Sequence, residues 1–384
     1  MVKYPLIPSY VLADAETCAR CCLCTLVCPI YEHTKDPSKT PPYYSKMLVK
    51  IANTRYAYIP RGKLSNILKE AINVYYCTLC GACITMCPFG ILTPDIVLTV
   101  RENVYRIFRD AVPKPIIEVV KSLKEYGNPY KRKISLKSLK EKLCHGSASK
   151  KKSTLLYPGC TLSLFSWRTV ENAAKLLLKA GISIEIPAEV KCCGFPALVS
   201  GDHKLFVDTV KENVNEWSKY DEVVFLCSEC YKTFLEHYGE GESKVNASYI
   251  VDYLLKLIDE GVLKPSTKYV GEKVVIHDPC NYGRWLGRSN ILEELLRKLQ
   301  IPYVKPKLHG KYTYCCGFGG LLAFIDSKLA LAISHRRLES LVKESTTIVS
   351  ICPACVLSAG RSLKIGRIKA KALNIIDLAY EILK

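Results

Sequence analysis

The sequence predicts a helical domain built around two compact metal-ligand motifs, followed by two duplicated α/β domains with parallel strands. Three observations carry this. CARCCLCTLVCP and CTLCGACITMCP set cysteines at 18, 21, 24, 28 and at 77, 80, 83, 87 in one C-x2-C-x2-C-x3-C-P spacing. From Thr154 onward a second cysteine pattern occurs twice, about 120 residues apart. Within each copy, short apolar strands alternate with amphipathic helical stretches.

The first spacing has a physical reason. A cubane [4Fe-4S] cluster needs four thiolates at its corners, and a tight C-x2-C-x2-C loop wraps three of them round one cluster. The fourth, three residues on and before a proline, is carried away to the other cluster in two-cluster ferredoxins. One cluster is therefore expected on Cys18, Cys21, Cys24 and Cys87, and the other on Cys77, Cys80, Cys83 and Cys28. Zinc knuckles fit less well, because zinc is typically held by two separated C-x2-C pairs. The N-terminal domain is thus expected to be a helical, two-[4Fe-4S] ferredoxin-like unit.

At 384 residues the chain exceeds the size at which single cores stop growing, so several domains are expected. The expected division is 1–126 helical, 127–153 basic linker, 154–268 first cysteine-rich domain and 269–384 second. No apolar run reaches the roughly 18 residues of a membrane span, and no apolar leader precedes the first acids, which reads as a cytoplasmic protein. In a reducing compartment twenty cysteines at ligand spacing mean metal rather than disulfides. The formal charge of +19 overstates that of a loaded protein, since each oxidised cubane with its thiolates brings about two negative charges. From Lys121 to Lys152 there are eleven basic and two acidic residues. This reads as a solvated linker, or else as a docking face for an acidic flavoprotein or an anionic membrane. No nucleic-acid partner is expected, because the run has few aromatics and no binding module.

Between the cysteine motifs, Pro42 starts an expected helix through Tyr56. Leu64, Ile67, Leu68, Ala71, Ile72 and Tyr75 recur at helical spacing and deliver the chain to Cys77. Thr93 as N-cap and Pro94 open a helix toward Val112. The helical domain ends near GNPY at 127–130, and Cys22 and Cys144 belong to no ligand pattern. His145 and the lysines at 150–152 read as linker.

In the first repeat TLLYPGC carries Cys160, KCCGFP carries Cys192 and Cys193, and VVFLCSEC carries Cys227 and Cys230. In the second, VVIHDPC carries Cys280, YCCGFGG carries Cys315 and Cys316, and TIVSICPAC carries Cys352 and Cys355. Cys160 to Cys280, Cys192 to Cys315 and Cys227 to Cys352 are 120, 123 and 125 residues apart. Ala173, Leu176, Leu177 and Ala180 mark one crossover helix, and Ile291, Leu292, Leu295, Leu296 and Leu299 another. Strand-helix alternation implies parallel strands, and the cysteines fall at strand ends, the edge where open parallel sheets bind ligands. Gly194 and Gly317, after the vicinal pairs, supply a backbone conformation or a close approach that a side chain forbids. Five thiols per repeat are one too many for zinc, but suit an iron-sulfur cluster with more than four thiolate contacts; zinc in one repeat is the competing reading.

The C, CCG, C-x2-C arrangement present twice resembles the CCG domain of heterodisulfide reductases, and the helical two-cluster unit before it resembles their ferredoxin-like subunit. Their fusion in one chain is similar to the fused iron-sulfur subunit of the membrane-bound heterodisulfide reductase. It is equally similar to the iron-sulfur subunits of glycolate oxidase and anaerobic glycerol-3-phosphate dehydrogenase. GNPY is shared, although the glycine that often follows it is Lys131 here. The resemblance implies a noncubane [4Fe-4S] cluster on each complete five-cysteine set. It further implies electron transfer between two cubane and two noncubane clusters, ending on a small-molecule disulfide, or alternatively relay from a flavin dehydrogenase to quinone. The implied partner is a flavoprotein dehydrogenase or a haem-containing membrane anchor, which would hold the chain at the inner face of the membrane. Cys193, Cys316 and His277 are the candidate catalytic residues. His277 is a candidate proton or hydrogen-bond donor beside the second set, or a histidine that ends a strand against its neighbours. Arg284 and Arg288 are candidates to meet an anionic substrate, or solvated loop arginines. No dinucleotide fingerprint or P-loop is present, so electrons must come from a partner. A cluster or zinc scaffold and a basic nucleic-acid binder are the readings from other classes.

Overall fold

The structure, a computed structural model, describes residues 6–54, 61–144, 153–239 and 245–384, so His145 and the lysines at 150–152 lie outside the described residues. The N-terminal domain contains the helices Ser9–Thr17, Pro29–Thr34, Pro41–Asn53, Arg61–Ala71, Thr93–Ile107 and Lys114–Tyr126. The helix expected from Pro42 begins at Pro41, whose fixed φ suits a first turn, and runs to Asn53. The next passes from Ala71 into a tighter turn, Ile72–Tyr76, that buries Val74 and Tyr75 and ends on Cys77. The helix expected from Thr93 to Val112 is shorter. Leu92 is its cap, Asp14 accepts from the Leu92 N–H at 2.9 Å, and Phe108 leaves helical space after Ile107. Pro113 then holds Val112 extended before a new helix starts.

The stretch read as a basic linker is partly built structure. Gly127 caps the preceding helix, and the side chain of the fully buried Asn128 donates to the carbonyls of Tyr126 and Arg132. Ser135 bridges antiparallel to Glu189, and the helix Lys137–Leu143 follows. Ile134, Leu136 and Leu139 are buried, which is why the segment docks rather than floats. Its charge is partly neutralised, Lys140 pairing with Glu185 at 2.8 Å and Lys142 with Glu171 at 2.7 Å. Lys131 stands at φ +55°, a conformation natural for glycine.

The two repeats form two four-stranded parallel sheets of identical order. In the first, β1 (Thr154–Tyr157), β2 (Ile184–Glu185), β3 (Glu222–Phe225) and β4 (Ala247–Tyr249) run 2-1-3-4. In the second, β5 (Val274–Ile276), β6 (Tyr303–Val304), β7 (Thr347–Ser350) and β8 (Lys371–Asn374) run 6-5-7-8. The central strands are buried, as parallel strands between helices must be.

The halves exchange their last helices. Ile250–Asp259, which follows β4, packs on Ile291–Lys298 of the second half, and Ile375–Leu383, which follows β8, packs on Trp167–Lys179 of the first. Asp377 accepts from Thr169 at 2.9 Å and Asn172 at 3.0 Å across this second contact. Such reciprocity is what a pseudo-twofold pairing requires.

Candidate functional site

The two N-terminal motifs fold alike. In each, the residues flanking the second cysteine, Arg20 and Cys22 in one and Leu79 and Gly81 in the other, take left-handed φ, and a five-residue turn follows, Leu23–Val27 or Ala82–Met86. This winding turns successive backbone N–H groups inward. Cys22 thus occupies the place of Gly81, and its side chain is exposed. Burial pushes the Cys24 thiol up to about 12, with Cys18, Cys28 and Cys21 acting on it in turn. Cys28, pushed up to about 12 chiefly by burial, lies within electrostatic reach of Cys77 and Cys80, and Cys83 within reach of Cys80, Cys77 and Cys28. The fourth cysteine of the first motif therefore stands among the three of the second. The first motif faces outward, with Cys21 exposed. The second is enclosed, with Cys80 buried.

The second α/β domain supplies that enclosure. Arg284 donates to the carbonyls of Cys80 at 2.5 Å, Lys311 at 2.7 Å and Thr313 at 2.6 Å, and the Trp285 indole lies against Gly81. Gly320 (φ +57°) passes so close that a Cβ there would sit 2.2 Å from the Cys77 carbonyl oxygen. Thiol meets thiol at this contact: Cys80 and Cys315 are hydrogen-bonded, which holds the Cys80 thiol well above its ordinary value. Arg288 pairs with Asp252, so neither candidate arginine is free for a substrate.

The five cysteines of each repeat come together. Cys160 and Cys192 stand 3.9 Å apart, and hydrogen bonds link Cys192 to Cys193, Cys193 to Cys230 and Cys230 to Cys227. In the second repeat they link Cys315 to Cys316, Cys316 to Cys355 and Cys355 to Cys352, with Cys280 within reach of Cys315. Each C-x2-C opens a helix, Ser228–His237 or Pro353–Ile365, with Cys227 and Cys352 as the N-caps. Cys160 departs from the strand-end expectation, lying in the first turn of the helix Gly159–Phe165. The glycine expectation holds: Gly194 and Gly317 have φ +87° and +84°, and a Cβ on Gly317 would stand 2.4 Å from the Ala330 carbonyl.

Cys193 and Cys316, hydrogen-bonded from both sides, are held well below the ordinary thiol range, while Cys192 and Cys355 are held well above it. Buried thiols so crowded cannot ionise together without cations among them. Among the described residues no three metal-binding side chains converge closely enough for a single ion. The thiols of each set are linked in a row instead, a spread suited to several bridged irons.

The two sets also meet. Cys227 is within reach of Cys352, and Asn281 donates from Nδ2 to Glu229 at 2.9 Å with Cys352 Sγ 3.8 Å away. The loops behind the vicinal pairs are tied down. Tyr238 donates to the Cys193 carbonyl at 2.8 Å, Ser358 to that of Cys316 at 2.7 Å, and the Cys192 N–H to the carbonyl of Gly127 at 2.8 Å. GNPY is thus a clamp on the CCG loop as well as a boundary.

His277 is buried and accepts at Nδ1 from Arg337 Nε at 3.0 Å. Burial and Arg337 push its pKa to about 3, so it is neutral near pH 7. With Nδ1 accepting, the neutral ring carries its proton on Nε2, which is buried without a partner among the described residues, so the strand-ending and the hydrogen-bond-donor readings both stand. Sequence reasoning missed Arg101, which is fully buried and has no carboxylate partner among the described residues. It donates to the carbonyls of Val74, Tyr75, Cys77, Val199 and Gly320, and so joins all three domains. The signal available was a lone arginine at a core-facing position of an amphipathic helix.

Residues 14–91 match the 4Fe-4S dicluster domain, and residues 154–234 and 274–358 each match the cysteine-rich domain called CCG. The chain is 24% identical over 379 residues to one subunit of the fumarate reductase (CoM/CoB) of Methanothermobacter marburgensis, covering 94% of this chain and 72% of that protein. It is 25% identical over 399 residues to one subunit of the dihydromethanophenazine:CoB–CoM heterodisulfide reductase of Methanosarcina mazei, covering 97% and 93%. To the EtfAB:quinone oxidoreductase of Syntrophomonas wolfei it is 23% identical over 415 residues, covering 96% of this chain and 58% of that protein. No described helix is long and apolar enough to cross a membrane. With these matches, the chain belongs to the iron-sulfur proteins that join a 4Fe-4S dicluster domain to a pair of cysteine-rich CCG domains.

Proposed function

We propose that the chain is the iron-sulfur subunit of an oxidoreductase complex, carrying electrons from a partner to a two-electron acceptor at its paired CCG domains. Two cubane clusters on the N-terminal sets and two noncubane clusters on the five-cysteine sets supply one-electron transfer. The chain's own part is to order the four thiol sets in a row. The observation that carries this reading is the Cys80–Cys315 hydrogen bond together with the approach of Cys227 to within electrostatic reach of Cys352, which order the sets from an exposed end to a buried one. At the exposed end, Leu23 and Leu26 of the first motif stand open, as a donor surface for a flavoprotein or haem subunit needs. At the buried end two sets face each other, which suits the two-electron, two-thiolate cleavage of a disulfide, with Cys193 and Cys316 at the centres of their rows. The relatives named as heterodisulfide reductase support this reading. Reduction of a quinone is the second reading, favoured by the apolar residues Leu79, Leu98, Phe195 and Leu198 near the paired sets and by the relative named as a quinone oxidoreductase.

Prepared without oxygen, the protein is expected to carry about sixteen iron and sixteen sulfide per chain and, once reduced by a viologen dye, to reduce a small disulfide. About eight iron with one or two zinc would confine clusters to the helical domain and end the terminal-site reading. The ligand exchange has its own test, by electron paramagnetic resonance. Cys87→Ser should perturb the same signal as Cys21→Ser, and Cys28→Ser the signal that Cys80→Ser perturbs. If Cys87→Ser and Cys80→Ser altered one common signal, the crossed sets would be wrong.

A further inference from the structure

One cleft leads from solvent to Cys280 of the second cysteine set, where Glu229 and Asn281 join the two repeats. Its outer chamber, about 450 Å³, lies between the helices Ser9–Thr17 and Thr93–Ile107 and the end of Ser228–His237. It narrows, through shared walls at Asp95, Leu98, Glu236 and Trp285, to a neck of about 40 Å³ that touches Cys280, Glu229 and Asn281. That volume is near one water molecule's share of the liquid, so only the slim reacting end of an acceptor fits it.

In a chain of formal charge +19 this cleft is acidic. Its carboxylates are Asp95, Glu102 and Glu236, with Asp14 acting on Asp95 from behind, while burial raises the pKa of Glu229 at the neck. The one ammonium, Lys232, is paired with Glu236 and lies 4.6 Å over the Trp285 ring. His237 is held neutral, its pKa pushed down to about 4 by burial and Lys232. Asp95, raised to about 6 by burial and Glu236, is still largely ionised near pH 7.5. The larger cavity beside the mouth is lined by Arg106, Arg109 and Lys204 together with the acids Glu102, Asp110, Asp202 and Asp208, Lys204 being paired with Asp208.

A second observation points the same way. Asn281 is buried and its Nδ2 is committed to Glu229, which leaves Oδ1 as an acceptor with no partner. An orphaned acceptor at the neck calls for a donor, and an anion brings only further acceptors.

We propose that the acceptor reaches the paired cysteine sets through this acidic cleft and carries no net negative charge, so that the site takes uncharged or cationic two-electron acceptors and turns anionic ones away. This rests on the terminal-site reading above. The reaction is balanced by two electrons from two reduced viologen molecules and two protons from solvent, converting a disulfide to two thiols or a quinone to its quinol.

The test varies charge at constant chemistry. Viologen-driven turnover of the loaded protein is measured with bis(2-hydroxyethyl) disulfide, cystamine and the dianionic bis(2-sulfonatoethyl) disulfide, and with 1,4-naphthoquinone against its 2-sulfonate. In whichever series turns over, kcat/KM for the anionic member should be at least about tenfold below that of the neutral one at low salt. The gap should narrow at high salt and in Asp95→Asn/Glu236→Gln. An anionic member as fast as the neutral one overturns the proposal while leaving the terminal-site reading intact; no turnover in either series overturns both. A readout independent of turnover uses Trp285 in Trp167→Phe, where Trp217 is buried. Caesium should quench it at least about threefold more strongly than iodide, and equal quenching overturns the acidic cleft.

Discussion

Replacing Arg101 by methionine is expected to lower stability by about 3–5 kcal/mol, because breaking a buried charged network strands its partners. Methionine keeps most of the volume but leaves the carbonyls of Val74, Tyr75, Cys77, Val199 and Gly320 without their shared donor. Those carbonyls belong to the turn before the second motif, the first α/β domain and the second, so the loss falls on the junction rather than on one core. For a chain of this size the unfolding midpoint should fall by roughly 4–6 °C. The guanidinium is also a buried positive charge acting on Cys77. Its removal should shift the midpoint potential of the cluster proposed on Cys77, Cys80, Cys83 and Cys28 to lower values, since the reduced cluster carries one more negative charge. An unfolding midpoint within a degree of the parent would show that the six hydrogen bonds contribute nothing net.

Cys193→Ser and Cys316→Ser are each expected to lower viologen-driven turnover at least about a hundredfold while leaving the N-terminal clusters reducible. Each thiol is the middle of its row, hydrogen-bonded to the cysteine before it and to the second of the C-x2-C pair. A serine there removes the ligand that joins the two ends of the set. If one of the two variants kept full turnover, a single terminal cluster would be enough, and a quinone relay would fit better than a disulfide. The two loops are not equivalent in surroundings, since Cys315 touches Cys80 whereas Cys160 and Cys192 lie beside Tyr130. Loss of Cys316 should therefore also slow electron arrival at the first repeat's set.

Local spacing made much of this protein legible from its sequence. The two C-x2-C-x2-C-x3-C-P runs, the repeat near 120 residues, the parallel strands and the glycines after the vicinal pairs each follow from a rule that acts over a few residues: a loop must close round a cluster, and a strand must alternate with a crossover helix. The segment 127–143 escapes such rules. Its lysines dominate its composition, while the three apolar residues that dock it, Ile134, Leu136 and Leu139, make no pattern long enough to register.

What depended on tertiary structure is everything set by which loop faces which. Only the folded chain brings Cys80 to Cys315 and Cys227 to Cys352, because no local rule relates residues more than a hundred positions apart. Only burial beside Arg337 makes His277 neutral, and only the meeting of Asp95 and Glu102 on one helix with Glu236 on another makes one cleft acidic in a basic protein. A side chain's charge state and a cleft's field are sums over neighbours in space, and the sequence names those neighbours without saying that they meet.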